Sequence, residues 1–358
     1  MRKNRTGVDY YVHGLFSSLV KKMPDVEFVF FYFSDVGEKL SIKGRNVKSI
    51  KITTMSSHKY RLKLMLEIAP NVEQLIGHQN LETVLFTNFY SWPVASKDCT
   101  VVPFVYDTTF VDTPDYVTFK NRILLKKQVR RSVKSATKIV TISEAAKQAL
   151  ISHYGRSERD YEVIYPATAK SLGVKRVAGV PENYLLFVGT LEPRKNVENL
   201  INAHLSLDDQ IREKYPLVLA GGKGWHDKEI VTLIEQNAGN HIYQLGYVSN
   251  EEKTWLYRHA FALVYPAIFE GFGMPIVEAM AEGTPVVTCT NTSLPEAGGD
   301  AAIYCNESVG GIIEGMLACI HDKRRTERIK DGVIHVKQFS WEISAEKMKE
   351  LLKGVDHS

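Results

Sequence analysis

Short apolar runs alternate with helical patterns along most of the chain. In the carboxyl half, apolar runs of strand length begin at Tyr184, Leu217, Ile242 and Phe261, with helical patterns between them. Strands that alternate with helices predict a parallel sheet with helices on its faces. Ligands of such sheets bind at the carboxyl ends of the strands, so candidate chemistry is expected there.

The stretch from 269 to 287 carries the strongest functional pattern. Its two carboxylates, Glu270 and Glu278, stand eight positions apart. Gly271 and Gly273 lie between them, and because neither has a Cβ the backbone can approach a ligand closely. Pro275 suits the first turn of a helix, which places Glu270 in the preceding loop and Glu278 about one turn inside the helix.

Free backbone amides at the start of this helix predict a site for an anion such as a phosphate. Two carboxylates beside a phosphate site are explained by a nucleotide sugar, which has hydroxyls on both sides of its phosphates. A capped helix with glutamates facing solvent is the simpler interpretation of this spacing by itself.

A basic pair follows the predicted strand at Tyr184. Arg194 can fork onto phosphate oxygens, and Lys195 can supply a point charge. Since Arg194, Lys195 and Glu270 all come directly after predicted strands, we expect them to converge on one crevice.

Five segments carry a family resemblance: GTLEPRKN (189–196), LGYV (245–248), FEGFGMPIVEAMAEGTPVV (269–287), SLPEAGGDAA (293–302) and FSW (339–341). Together they resemble the retaining nucleotide-sugar glycosyltransferases of family 4, which have the two-domain GT-B fold. The carboxyl half matches nearly throughout, and the amino half matches more loosely. Within the family, the first and third segments look most like the mannosyltransferases of bacterial O-antigen and capsule synthesis.

The resemblance implies an α/β chain of two Rossmann-like parallel-sheet domains that face a central cleft. The amino-terminal, acceptor-side domain would span 1–168 and the nucleotide-sugar domain 169–338, with a terminal helix in 339–358 that crosses back to the amino domain. Because the chain opens in what would be the loop and helix after the first strand of the family, we expect the amino domain to lack that strand.

The resemblance also implies site residues. Arg194 and Lys195 would hold the diphosphate, Glu278 would accept hydrogen bonds from the ribose, and Glu270 would bind the sugar and stabilise an oxocarbenium-like centre. These residues belong to a larger donor-binding set, which is Gly7, Gly189, Arg194, Lys195, Tyr247, Val248, Glu270, Gly271, Phe272, Gly273 and Glu278.

On the acceptor side the resemblance points to Tyr106 and Asp107, where the family commonly has His-Asp. A tyrosine can donate to a sugar hydroxyl but is no base near neutral pH, and structural packing is an equally good role for Tyr106. Asp107 is included with Glu270, Arg194 and Lys195 among the catalytic candidates.

The predicted function is transfer of a hexose, mannose first, from a GDP- or UDP-linked donor to a glycan or lipid-linked acceptor in surface polysaccharide synthesis. No cofactor or metal is expected, because no Asp-x-Asp pair is present and Arg194 and Lys195 would neutralise the diphosphate. Two alternatives stay open. One is a non-catalytic or truncated GT-B subunit that binds nucleotide or a partner without turnover, and the other is a nucleotide-sugar epimerase.

Charge is distributed unevenly. Residues 1–170 hold 26 Lys and Arg against 16 Asp and Glu, whereas residues 171–358 hold 19 against 25. Much of the excess lies in 120–138, where Ile123, Leu124, Val129 and Val133 recur at helical spacing and are expected to pack on the core. The opposite basic face is either solvated or binds an anionic membrane. Nucleic acid is not expected as a partner, because no aromatic residues interleave with the charges.

The four cysteines form no CxxC pair, and three lie in apolar or strand-like settings. We expect buried thiols and a reducing cytoplasm, with the protein peripheral on the inner face of the plasma membrane.

Overall fold

The computed structural model describes residues 7–36, 42–79, 81–168, 173–222, 224 and 227–354. The chain divides into two compact units, which we call the amino unit (1–167 with 339–358) and the carboxyl unit (168–338). The sequence placed the domain boundary between 168 and 169, and the terminal helix groups with the amino unit.

The amino unit combines short parallel strand pairs with helices. In the described part of the chain its first element is a helix. Strand β1 pairs with β2, β3 with β4, and β5 with β6, each pair parallel. In chain order the elements are α1 (Gly7–Lys22), β1 (Phe28–Phe33), β2 (Val47–Ile52), α2 (Ser57–Met65), α3 (Val72–Ile76), β3 (Thr83–Phe86), β4 (Thr100–Pro103), α4 (Thr109–Asp112), α5 (Phe119–Ser135), β5 (Ile139–Thr141), α6 (Glu144–Tyr154) and β6 (Tyr161–Val163).

The last helix of the chain completes this unit by packing on α1. Tyr11 of α1 meets the indole of Trp341 edge to face, with ring centroids 5.8 Å apart. Gly14 lies one turn further along, and a Cβ there would overlap the same indole, so only glycine permits this approach. Ser344 fixes the other side of the helix, because its hydroxyl donates to the carbonyl of Tyr165 at 2.6 Å.

Helix α5 buries most of the face that periodicity predicted, with one exception. Val129 and Val133 are buried as expected, and Leu124 is half-buried. Ile123, however, is 48% exposed, so its predicted place in the core is wrong. Leu125 contacts the core instead, in line with Val129 and Val133 at helical spacing.

The carboxyl unit is one parallel sheet flanked by helices. Its elements are β7 (Leu185–Val188), α7 (Val197–Leu205), α8 (Asp209–Lys214), β8 (Leu217–Ala220), α9 (Lys228–Gln236), β9 (Ile242–Gly246), α10 (Asn250–His259), β10 (Ala262–Tyr265), α11 (Met274–Ala281), β11 (Val286–Cys289), α12 (Leu294–Gly298), β12 (Ile303–Cys305), α13 (Val309–Ile320) and α14 (Arg325–His335). The chain then returns to the amino unit, whose last helix is α15 (Trp341–Gly354).

The sheet has the strand order β12-β11-β10-β7-β8-β9. Read from the other edge, this is a doubly wound order in which the chain starts in the middle, moves to one edge, and then returns to fill the other half. The order reverses between β7 and β10, which are hydrogen-bonded neighbours although β8 and β9 lie between them in the sequence.

Close contact between neighbouring strand ends depends on one glycine. Gly221 follows β8, and a Cβ there would overlap the carbonyl of Gly189 at the end of β7. The two ends are joined by hydrogen bonds from the Gly189 amide to the Ala220 carbonyl (3.0 Å) and from the Leu191 amide to the Gly222 carbonyl (3.0 Å). The turn after β7 is therefore fixed against the sheet.

The cysteines are free thiols. Cys99, Cys289 and Cys319 are buried, as the sequence predicted, and Cys305 is half-buried.

Candidate active site

The candidate site lies in the carboxyl unit where the strand order reverses. A 3₁₀ turn, Pro193–Lys195, follows β7, and the loop that carries Glu270 follows β10. The amide of Ile268 donates to the carbonyl of Arg194 at 2.9 Å, which ties the two segments together. Parallel sheets with this order bind ligands at this point.

Lys195 and Glu270 form an ion pair in which each side chain is 11% exposed. Tyr265, the last residue of β10, joins them: its hydroxyl accepts from the Lys195 ammonium at 2.8 Å and donates to Glu270 Oε1. Burial raises the pKa of Tyr265 well above its ordinary value, so the hydroxyl stays protonated and remains a donor. The three polar groups therefore hold one another at a mostly buried position.

Arg194 reaches the same carboxylate from the other side. Its Nη1 donates to Glu270 Oε2 (3.3 Å) and to the carbonyl of Phe269 (2.7 Å), and its Nη2 donates to Glu192 (2.7 Å). Glu270 is thus shared by two cations, and Glu192 balances the second charge.

The backbone around Glu270 is held by the loop after β11. Ser293 donates to the carbonyl of Glu270 at 2.9 Å, and Thr292 accepts from its amide at 3.3 Å. Asn291 donates to the carbonyl of Ile268 at 2.8 Å. Three consecutive side chains therefore fix the position from which Glu270 projects.

The helix predicted after this loop is α11, and Pro275 is in its first turn as expected. Gly273 precedes it with φ = 104°, a conformation that residues with a Cβ rarely adopt. Gly271 and Phe272 are buried beside it. The start of α11 therefore lies at the same end of the sheet as Lys195 and Glu270.

Glu278 projects from α11 and is held by α10. Lys253 donates to its Oε1 at 2.7 Å, and Tyr257 donates to its Oε2 at 2.9 Å. Burial, followed by the nearby Glu278 charge, raises the pKa of Tyr257, so this hydroxyl also stays a donor. A glutamate facing only solvent would have neither partner.

The other donor-side candidates of the carboxyl unit also follow the carboxyl ends of strands. Gly189 directly follows β7, and Tyr247 and Val248 follow β9, which is the edge strand. Tyr247 is 61% exposed, whereas Val248 is half-buried.

Gly7, Tyr106 and Asp107 belong to the amino unit. Gly7 is the first residue of α1. The Tyr106 hydroxyl donates to the carbonyl of Thr87 at 2.8 Å, and burial raises its pKa, which suits the packing role. Asp107 Oδ1 accepts from the amide (3.0 Å) and the hydroxyl (2.7 Å) of Thr109. The acceptor-side roles of Tyr106 and Asp107 and the donor-binding role of Gly7 stay predictions.

Four side chains that contact the charged groups of the site were not predicted from the sequence. Tyr265 ends a predicted strand directly before the Glu270 loop, and Glu192 lies within a matching segment, so both carried a usable signal. Lys253 and Tyr257 carried none, because only the packing of α10 on α11 brings them to Glu278.

Within the described residues, no group of three His, Cys, Asp or Glu side chains could hold a metal ion. Independence from metal stays a prediction.

Comparison with known proteins identifies the family. Residues 170–336 match the model for glycosyl transferases group 1. This part of the chain is a group 1 glycosyl transferase domain. It is 34% identical over 252 residues to O-antigen chain mannosyltransferase B of Escherichia coli, a match that covers 66% of this chain and 66% of that relative. The match therefore spans just under two thirds of the relative's length.

Solved structures show the GT-B fold for nearly the whole chain. WaaG, a glycosyltransferase involved in lipopolysaccharide biosynthesis, superposes with a TM-score of 0.71 at 15% identity, covering 98% of this chain and 97% of its own. HepE of Anabaena, solved with UDP and glucose, superposes with a TM-score of 0.67 at 15% identity, covering 98% and 96%. The fold class predicted from the sequence is confirmed.

Proposed function

We propose that this group 1 glycosyl transferase moves a hexose, mannose first, from a nucleotide sugar to a glycan or lipid-linked glycan in surface polysaccharide synthesis. The relative named as an O-antigen mannosyltransferase supports the sugar and the process. The observation that carries the proposal is the convergence of Lys195 and Arg194 on Glu270 at the strand-order reversal.

The diphosphate of the donor would bind Arg194 and Lys195. Both cations are paired with Glu270, so the diphosphate would compete with this carboxylate for their hydrogen bonds. Glu270 would then be available to accept hydrogen bonds from the hydroxyls of the sugar. One exchange of partners would link donor binding to the position of the sugar.

Glu278 would accept hydrogen bonds from the ribose hydroxyls. Lys253 and Tyr257 hold one oxygen each, and each carboxylate oxygen has a further lone pair for a ligand. The two hydrogen bonds fix the orientation of the carboxylate.

Catalysis would come from charge stabilisation. As the glycosidic bond breaks, negative charge develops on the departing diphosphate, and fixed cations in a mostly buried site stabilise it. Family resemblance implies retention of configuration with attack on the face that the diphosphate leaves, the diphosphate taking the proton of the acceptor. No metal is required by this scheme, and Asp107 keeps its proposed acceptor-side role.

Membrane association would bring the enzyme to a lipid-linked acceptor. Helix α5 carries Lys and Arg at seven of its 17 positions and no Asp or Glu. Each cation near an anionic bilayer contributes about 1 kcal/mol to binding. None of the described helices is long and apolar enough to cross a membrane. We propose a cytoplasmic enzyme that is peripheral on the inner face of the plasma membrane.

The experiment is a transfer assay with purified full-length protein and a panel of GDP- and UDP-linked sugars. Products are followed by NMR, which also gives the anomeric configuration. Release of nucleoside diphosphate with a retained anomer, GDP-mannose being the best donor, is expected. Tight nucleotide binding without turnover of any donor would favour the non-catalytic subunit instead.

A further inference from the structure

Large apolar side chains are exposed at the end of α2 and along the first turns of α5. Leu62, Leu66 and Ile68 are 58%, 60% and 64% exposed, and Phe119 is 73% exposed. Soluble proteins usually expose such residues singly, so this density indicates an apolar partner. The set, which we call the apolar ridge, is Leu62, Met65, Leu66, Ile68, Phe119 and Ile123.

Contacts between the two helices place the end of α2 beside the middle of α5. The Lys127 ammonium donates to the carbonyl of Met65 at 3.3 Å. Glu67 pairs with Lys127 at 3.4 Å and with Arg131 at 3.1 Å. Ile123 lines the same recess as Glu67. The end of α2 is therefore fastened along the basic face of α5.

A left-handed turn ends α2 between two of the exposed apolar residues. Glu67 has φ = 63°, the left-handed conformation that residues other than glycine rarely adopt. Its amide donates to the Leu64 carbonyl (3.3 Å), and the amide of Ile68 donates to the Lys63 carbonyl (3.0 Å), which closes the helix. The ion pairs of Glu67 hold this turn, and Leu66 and Ile68 stay exposed on either side of it.

The two helices that carry the ridge are strongly basic, and Glu67 between them is paired with Lys127 and Arg131. Helices α2 and α5 together contain ten Lys and Arg and no Asp or Glu. Apolar side chains surrounded by cations match the boundary between acyl chains and anionic headgroups. Nucleic acid would leave the aliphatic residues without a partner, and a purely apolar protein surface would leave the cations without one.

We propose that the apolar ridge inserts into the interfacial layer of an anionic bilayer while the basic face of α5 contacts the headgroups. The proposal rests on the membrane association proposed above and adds hydrophobic insertion to it. Binding should therefore keep a part that salt does not remove, because screening weakens the ionic contacts but leaves apolar burial intact.

Co-sedimentation with phosphatidylcholine vesicles, with and without phosphatidylglycerol, tests the proposal at low and high salt. The ridge variant is Leu62→Ser with Leu66→Ser, and the charge variant is Lys126→Gln, Arg130→Gln and Lys134→Gln. Ile334→Ser is the matched control, since Ile334 is 63% exposed on α14 in the carboxyl unit. The ridge variant should bind anionic vesicles at least about tenfold more weakly and lose its salt-resistant part, whereas the control should bind like wild type.

Depth is measured with Leu66→Trp and brominated phosphatidylcholine. Emission of the added tryptophan, taken as the difference from wild type, should shift to the blue and be quenched on binding. Equal binding of ridge variant and wild type, or an unquenched tryptophan, overturns insertion. Insertion is also overturned if, in ultracentrifugation without lipid, the wild type dimerises and the ridge variant does not, because the ridge then contacts a second copy of the chain. Donor hydrolysis without lipid is measured in parallel, so a failed proposed function is told apart from failed insertion.

Discussion

At the residue scale, Tyr265 is the group that connects the two charged partners of the candidate site. Tyr265→Phe removes a hydroxyl that accepts from Lys195 and donates to Glu270. We expect kcat/KM to fall about tenfold, the size of one hydrogen bond to a charged group.

The control is Tyr184→Phe, which removes an equally buried hydroxyl that donates to the carbonyl of Leu256 at 2.6 Å. Both variants should lose similar thermal stability, and only Tyr265→Phe should lose activity. Equal kinetics in the two variants would assign Tyr265 to packing alone.

The two glutamates should differ in their kinetics. Glu278→Gln should mainly raise the KM for donor, because ribose contacts are shared by ground and transition states. Glu270→Gln should lower kcat, and it should bind nucleoside diphosphate no more weakly than wild type, since it removes a carboxylate that competes for Lys195 and Arg194. Steady-state kinetics and calorimetry of both variants check this. Similar KM changes with unaltered kcat would refute the division of roles.

The charged residues of the site could be predicted from the sequence, but the groups that hold Glu278 could not. Arg194, Lys195 and Glu270 were predicted to converge because each follows a strand, and the structure brings them together. Lys253 and Tyr257 escaped prediction, because the helix pairing that brings them to Glu278 is a tertiary contact.

At the scale of elements, the contact between α1 and α15 depends on Gly14. Gly14→Ala places a methyl group inside the indole of Trp341, and we expect the free energy of unfolding to fall by about 1–3 kcal/mol. Gly7→Ala in the same helix has open space and is the control. Chemical denaturation measures both variants, and equal stability would show that α15 yields to the methyl group without cost.

Periodicity located α5 but assigned part of its buried face wrongly. The spacing of apolar residues fits either side of a helix when one side carries Ile123 and the other Leu125. Packing decides between them: Leu125 contacts the core and Ile123 joins the apolar ridge. Spacing alone does not distinguish an apolar residue of the core from one on an exposed apolar surface.

At the scale of the whole molecule, stability should depend on pH through His204. Burial lowers the pKa of His204 to about 4, and its Nε2 donates to the carbonyl of Tyr215 at 3.1 Å. A folded pKa below the unfolded value of about 6.5 means that the unfolded chain binds the proton more readily. The contribution of neutral His204 to the free energy of unfolding is therefore complete above about pH 6.5. It is lost as pH falls toward 4, by up to about 3 kcal/mol.

Denaturation of wild type and His204→Gln across this range checks the assignment. The glutamine keeps a donor but does not titrate, so the variant should show a shallower loss of stability below about pH 6.5. Parallel pH profiles of the two proteins would show that another group causes the loss of stability at low pH.

The parallel sheet of the carboxyl unit could be predicted because the alternation of strands and helices is a local pattern, whereas the GT-B fold was predicted from the order of the matching segments. The apolar runs place the strands, and the segments after β7 and β10 fall on either side of the strand-order reversal. The acceptor-side residues were harder to predict from the sequence. Tyr106 and Asp107 have local hydrogen bonds that structural residues would also make.

The central claim is that Arg194 and Lys195 bind the diphosphate of a nucleotide sugar. Isothermal titration of GDP and UDP into wild type, Arg194→Ala and Lys195→Ala tests it most directly. Each substitution should weaken binding of the preferred nucleotide by about 1.5–3 kcal/mol, the usual value for hydrogen bonds to charged groups. Unchanged affinity in both variants would contradict the account.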